Sequence, residues 1–355
     1  MKNGVPTLVR ICRRLAPYCD AYRTKSSVKS LADEILTPIN SGRARAESTL
    51  SVDDYIARYY LPAVREHKRP STYKCYRDFF EIHLKGKMSI PLRDFRCVDG
   101  NRLLALIAHN AELTHTTLKH MKSFLSGVFT FAKREGTLDG INPMRDTAIP
   151  EGKQSGETYA YSLEEIEKML IVMPEPARTV IALAAFTGLR HSEIRGLQWP
   201  DFTGDEIRVS RTIWNRHVNL PKTKASAASV PVLPFLCRIL GEHRKRNEGD
   251  GYIFAGPTGA PLNLANLARR VIKESLKGSG VEWNGWHAFR RGLATNLYRL
   301  GVPERTIQAI MRHSNVATTL AFYVKPVSSD SHAAMAKLEK ALGNDWATAR
   351  KNCAS

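Results

Sequence analysis

From Ser51 onward the apolar residues recur at the three-and-four spacing of helices buried along one face. Ser51 can cap the amides that follow it, and Asp53 and Asp54 suit the positive end of a helix reading V-D-D-Y-I-A-R-Y-Y over residues 52–60. Pro62 is expected to close that helix or follow its end. A basic connection over residues 65–70, R-E-H-K-R-P, leads to a second helix opened by Ser71 or Thr72, with Tyr73, Tyr76 and Phe80 on one face. A third helix starts near Asp99, with Leu103, Leu106 and Ile107 as its buried stripe. The clearest follows Thr114: Leu118, Met121, Leu125, Val128, Phe129 and Ala132 keep one apolar face until Gly136. Its other side carries Lys119, Lys122, Lys133 and Arg134. Residues 48–148 therefore read as a helical domain with basic faces.

The Pro, Gly and Ser content of residues 149–160 reads as a linker. Ser162 and Glu165 then form a capping box ahead of a helix. The apolar run V-I-A-L-A-A-F over residues 180–186 predicts a buried helix that ends at Thr187 and Gly188. Ile207, Val209 and Ile213 alternate as strand residues do, and V-P-V-L over residues 230–233 reads as a partner strand. Residues 221–226, P-K-T-K-A-S, fall in the connecting hairpin. Helices are expected at residues 234–247, 263–277, 286–300, 303–312, 319–324 and 331–342, with Gly301 and Pro303 separating two of them. This second domain spans residues 161–342. Residues 1–47 form a basic extension or a small DNA-contacting module, and residues 343–355 a tail.

Charge changes the picture from a helical protein to one that meets a polyanion. Lys and Arg number 53 against 34 Asp and Glu, a formal net charge of +19 spread along the whole chain of 355 residues. Such a field attracts nucleic acid. No stretch approaches the roughly 18 to 20 apolar residues of a membrane span, and the N-terminus lacks the apolar core of a secretion signal. The expected location is cytoplasmic and nucleoid-associated. Six cysteines (Cys12, Cys19, Cys75, Cys97, Cys237 and Cys353) are scattered without a C-x-x-C pair, which argues against a zinc site or a disulfide framework.

The chemistry sits in two stretches. T-G-L-R-H-S-E over residues 187–193 places Arg190 just past the buried helix, so a rigid element can hold its guanidinium outward. W-H-A-F-R over residues 286–290 puts His287 and Arg290 on one helical face, and His313 follows in the segment that ends at Tyr323. Arg190, His287, Arg290 and His313 suit a phosphodiester: arginines fork onto its oxygens, and histidines donate or manage a proton near neutral pH. Tyr323 is the candidate nucleophile, since a dense positive site favours its phenolate. Lys222 or Lys224 is the candidate acid for the leaving oxygen. With arginines stabilising the transition state no metal is required.

Taken in order, T-G-L-R-x-x-E, P-K-T-K followed by a V-P strand, H-A-F-R, and R-H-S-N-V-A-T-T-L-A-F-Y over residues 312–323 strongly resemble the tyrosine recombinases, or phage-type integrases. The resemblance covers residues 48–342. It implies a multidomain, mainly α protein: an N-terminal helical, SAM-like core-binding domain plus an α+β catalytic domain with a small antiparallel sheet. It also implies site-specific cutting and rejoining of double-stranded DNA through a 3′-phosphotyrosyl link, without ATP or any cofactor. Arg190 and Arg290 would clamp the phosphate, His287 and His313 support it, Tyr323 attack, Lys222 protonate the leaving 5′-oxygen, and Glu193 orient its neighbours.

Lys68, Arg69, Thr72, Lys74, Arg77, Lys119, Lys122, Lys133 and Arg134 are the candidates for DNA contact. The family also implies a clamp around DNA and a homotetramer on two DNA sites, with monomers or dimers otherwise. Residues 331–342 would be the exchanged helix, and accessory DNA-bending or directionality proteins are compatible partners. Two departures stand out. Arg312 occupies a place where the family often has glycine, and ten residues separate His313 from Tyr323 where many members have nine. The rival functions are a type IB topoisomerase and a noncatalytic DNA-binding regulator with the same fold.

Overall fold

The computed structural model describes residues 14–40, 45–154, 156–221, 227–247 and 249–312. The chain divides into two units, Met1–Gly156 and Glu157–Ser355. Within the region read as an extension, α1 spans Lys29–Asn40.

In the first unit α2 runs unbroken over residues 52–67, as Val52–Tyr55, a π-helical turn Ile56–Tyr60 and Leu61–His67. Ser51 caps it as expected, its hydroxyl accepting the Asp54 amide at 3.0 Å. Pro62 does not close this helix. The Leu61 amide already reaches back five residues to the Ile56 carbonyl, so the widened turn absorbs the missing N–H and the bulk of the ring. The expected connection over residues 65–70 shrinks to Lys68 and Arg69, because Pro70 rather than Ser71 or Thr72 opens α3. At the first helical position the amide that proline lacks is unused anyway.

Helix α3 comprises Pro70–Phe79 and a π turn Phe80–Leu84. Helix α4, Cys97–Ala111, buries Gly100, Leu103, Leu104 and Ile107, whereas Leu106 is exposed. Leu104 shares the face of Gly100 and Ile107; Leu106 turns off it. Helix α5, His115–Arg134, buries every residue of the expected stripe and Phe124 as well. Tyr60, Tyr76 and Phe124 pack as a ring cluster with centroids 5.0–6.3 Å apart. Helix α5 approaches α2 so closely that a β-carbon on Gly127 would stand 2.3 Å from the Tyr60 hydroxyl.

In the second unit the capping box forms: Ser162 Oγ accepts the Glu165 amide at 3.2 Å and Glu165 accepts the Ser162 amide at 2.9 Å. It opens α6, Leu163–Val172. Helix α7, Ala177–Thr187, is buried throughout residues 179–185. It is followed by α8, His191–Ile194. Among the described residues the antiparallel strands form two ladders. Strand β1, Glu206–Ile207, pairs antiparallel with β4, Val230–Pro231, while β2, Thr212–Trp214, pairs with β3, His217–Asn219. Asn215 adopts φ 52 directly after β2, and asparagine tolerates this left-handed turn. The chain thus doubles back before residue 221, and the V-P strand is left to pair with β1.

Helix α9 spans Pro234–Arg246, and α10 covers residues 264–275 with a π turn at Ala268–Ile272. Helices α11, Trp286–Arg299, and α12, Glu304–Met311, complete the described part. Helices α6, α9 and α11 pack against α7. Tyr161 fastens the start of the unit to α11: its amide bonds Ala288, Asn296 bonds its carbonyl at 3.1 Å, and its hydroxyl accepts the Asn284 amide at 2.6 Å. The helices expected at residues 319–324 and 331–342 lie outside the described residues. Among the described residues no helix is long and apolar enough to cross a membrane.

Candidate active site

Local chemistry explains why T-G-L-R turns where it does. Thr187 donates its hydroxyl to the Leu183 carbonyl at 2.6 Å and accepts the Leu189 amide. Gly188 then takes φ 62, a left-handed conformation that ends α7. Arg190 follows as the N-cap of α8, and its backbone amide donates to Glu193 Oε2 at 2.8 Å. The Arg190 guanidinium donates to Glu193 Oε1, also at 2.8 Å, with the arginine side chain 33% exposed and the glutamate 1%. A buried carboxylate thus steers a guanidinium that still reaches solvent.

Arg290, in the first turns of α11, is buried. It donates through Nη1 to the Gly188 carbonyl and through Nη2 to the Met311 carbonyl, tying together the C-terminal ends of α7 and α12. Helix C-termini present unsatisfied carbonyls, and a cation there meets the negative end of each dipole. Arg312 follows Met311 in a left-handed conformation with φ 52. Its Nη2 donates to Glu193 Oε2 at 2.7 Å. One carboxylate therefore receives two arginines.

His287 keeps a solvent-facing edge. Its ring stands edge-on to that of His191, with centroids 6.1 Å apart and planes at 88°. Desolvation, then the charges of His191, Arg291, Arg290 and Arg190, hold its pKa below the usual 6.5. This lowering favours the uncharged form of the imidazole. Burial, aided by Arg195, likewise depresses His191. Burial raises the Glu193 carboxyl, but Arg312, the Arg190 amide and the Arg190 guanidinium together bring it below its ordinary value.

The structure thus brings Arg190, Glu193, His287 and Arg290 to neighbouring helix ends. Lys222, Lys224, His313 and Tyr323 lie outside the described residues. In the helical unit, Lys68, Arg69, Lys119, Lys133 and Arg134 are exposed, and Thr72 is half-buried. Lys74 and Arg77 both pair with Asp78, at 2.5 and 3.0 Å. Lys122 turns its ammonium to the carbonyls of Arg145 and Thr147, at 3.2 and 2.5 Å, and so braces its own domain. Sequence reasoning did not single out His191, and it met Arg312 only as a departure. The signal for both lay in plain view: a histidine beside Arg190, and a long cation where a helix end favours glycine.

Comparison with known proteins shows the class. Residues 162–329 match the model of the phage integrase family. A tyrosine recombinase XerC from Mesorhizobium japonicum is 32% identical over 255 residues, covering 68% of this chain and 78% of the relative. A XerC-like tyrosine recombinase from Caldanaerobacter subterraneus subsp. tengcongensis is 28% identical over 338 residues, with 85% and 86% covered. The Tn1549 transposon integrase, solved with transposon right end DNA, superposes with a TM-score of 0.67 at 20% identity, covering 82% of this chain and all of that one. A lambda integrase tetramer bound to a Holliday junction gives 0.60 at 17% identity, with 84% and 87% covered. The chain belongs to the phage integrase, or tyrosine recombinase, family. It is a tyrosine-type site-specific recombinase, an enzyme that transfers DNA strands.

Proposed function

We propose that Arg190, His287 and Arg290 form the phosphate-binding half of the catalytic site, and that Lys222, His313 and Tyr323 complete it. The observation that carries this is the grip of buried Glu193 on Arg190 beside His287 and Arg290, which holds cations in place before any substrate arrives. Preorganised charge is what a phosphoryl-transfer transition state needs. In the first step Tyr323 Oη attacks the scissile phosphorus, the bond to the 5′-oxygen breaks, and a 3′-phosphotyrosyl link forms. His287 takes the phenolic proton. Lys222, or Lys224 from the same segment, gives a proton to the leaving 5′-oxygen, while Arg190, Arg290 and His313 neutralise the charge on the nonbridging oxygens. Attack by the 5′-hydroxyl of a second strand reverses these roles and frees the tyrosine. Phosphodiester energy is conserved in the link, so ATP has no part.

The same reading assigns double-stranded DNA as partner, with exposed basic residues of the helical unit on its phosphates, and a homotetramer on two DNA sites as the active assembly. A nicked suicide substrate carrying the proper site tests the chemistry. Wild-type protein is expected to become covalently attached, and Tyr323→Phe to lose the adduct; an adduct that persists in Tyr323→Phe would remove that residue as nucleophile.

A further inference from the structure

Arg312 has no role in the reaction as assigned above, yet its placement is unusual on three counts. Its backbone has φ 52 and ψ 42, a conformation in which a β-carbon is crowded and glycine rests without strain. Its side chain is only 2% exposed, although arginine is rarely buried. And it meets a carboxylate that already serves another arginine: Glu193 Oε2 lies 2.7 Å from Arg312 Nη2, while Oε1 lies 2.8 Å from Arg190 Nη1.

Helix termination does not require this side chain. The Arg312 amide already donates to the Ala309 carbonyl at 3.0 Å, a bond that glycine makes with less strain. What the guanidinium adds is a fixed partner for Glu193. With Oε2 occupied by Arg312 and the Arg190 amide, the carboxylate presents Oε1 to the Arg190 guanidinium in one orientation. Arg190 is engaged there through Nη1 while its side chain stays 33% exposed, and a guanidinium has further N–H groups with which to meet a phosphate. The end of α12 is held twice in this way, by Arg290 at the Met311 carbonyl and by Glu193 at Arg312. The segment bearing His313 starts at the next residue.

We propose that Arg312 is a positioning residue for strand cleavage: acting through Glu193, it sets the direction of the Arg190 guanidinium. The proposal rests on the phosphate-binding role assigned to Arg190. Glycine would form this turn with less strain, so the role belongs to the guanidinium and not to the turn.

The test uses full-length R312G, R312K, E193Q, the double variant R312G/E193Q, and R190A as reference. Single-turnover adduct formation on nicked suicide DNA and DNA affinity are measured at a temperature where circular dichroism shows each variant folded. R312G is expected to bind DNA within about twofold of wild type but to cleave more slowly, on the order of a hundredfold for a displaced catalytic group. R312K should recover part of the rate. In the E193Q background the same R312G change should cost little, because the two residues act as one unit. Wild-type cleavage by R312G, a loss confined to affinity, or losses that add in the double variant would overturn the proposal. Should R312G not fold, R312K and R312K/E193Q carry the same cycle. Undiminished cleavage by R190A would instead remove the reading of the site on which the proposal stands.

Discussion

Glu193 holds Arg190 at two points, accepting its backbone amide through Oε2 and its guanidinium through Oε1, each at 2.8 Å. Backbone and side chain of one arginine are thus fixed by one carboxylate, which is itself almost wholly buried. Replacing Glu193 by Gln keeps the shape and removes the charge that Arg312 Nη2 meets at 2.7 Å. The expected loss is about 2–4 kcal/mol of stability, read from urea unfolding, together with slower adduct formation. An unchanged unfolding midpoint would show that the carboxylate charge is not what holds this site.

Gly188 is the hinge on which α7 ends and whose carbonyl Arg290 binds. A β-carbon there would lie 3.1 Å from Leu293 Cδ2 and 3.3 Å from Met311 Sδ, on a backbone at φ 62. Gly188→Ala should therefore cost about 1–3 kcal/mol and weaken adduct formation, since the Arg290 acceptor shifts. Gly241, within α9, has open space around it and no left-handed backbone. Gly241→Ala should raise stability by about 0.5–1 kcal/mol. Thermal unfolding of the two variants side by side checks both signs, and a shift in the same direction for both would contradict this account.

Acid should weaken the catalytic unit in two stages. The His287 and His191 pKa values lie below the usual 6.5. Above that pH both histidines are neutral whether folded or not and contribute nothing. Below it the unfolded chain binds their protons first, so stability falls as pH drops from 6.5 toward the folded values. Glu193 is depressed below its usual 4.5, so its contribution is complete above 4.5 and disappears as pH falls through its folded value. His287→Gln should flatten the first stage and leave the second. Thermal midpoints recorded from about pH 7 to about pH 4 distinguish the two, and an unaltered first stage in His287→Gln would assign it elsewhere.

Exposed cations and braced cations should behave differently on DNA. Lys119 and Arg134 are exposed on α5, whereas Lys122 on the same helix is bonded to the Arg145 and Thr147 carbonyls. If Lys119 and Arg134 neutralise phosphates, Lys119→Ala and Arg134→Ala should each reduce the slope of log affinity against log salt by about 1. Lys122→Ala should leave the slope alone and lower the melting temperature. Titrations at several salt concentrations decide, and a Lys122→Ala slope change equal to that of Lys119→Ala would reverse the assignment.

Much of this molecule was legible from local pattern. The stripe from Leu118 to Ala132, the Ser162–Glu165 capping box, the Thr187–Gly188 stop and the shared face of His287 and Arg290 depend on periodicity and cap chemistry within a turn or two. Such features are encoded where they occur, so Arg190, His287 and Arg290 could each be named as candidates from the sequence, while their meeting at neighbouring helix ends is a matter of packing. Local pattern misled where a compensating neighbour mattered: the π turn before Pro62 lets the helix continue.

Arg312 marks the boundary between the two kinds of information. By itself the sequence determined that a long cation follows Met311, where the helix ends. Only the tertiary structure decided that this cation bends inward and meets Glu193, 119 residues away. The pairing arises because the ends of α7 and α12 are both bonded to Arg290, which leaves buried Glu193 within reach of a second arginine. Burial and distance set the strength of that pair, and both are properties of packing between segments, which no single segment encodes.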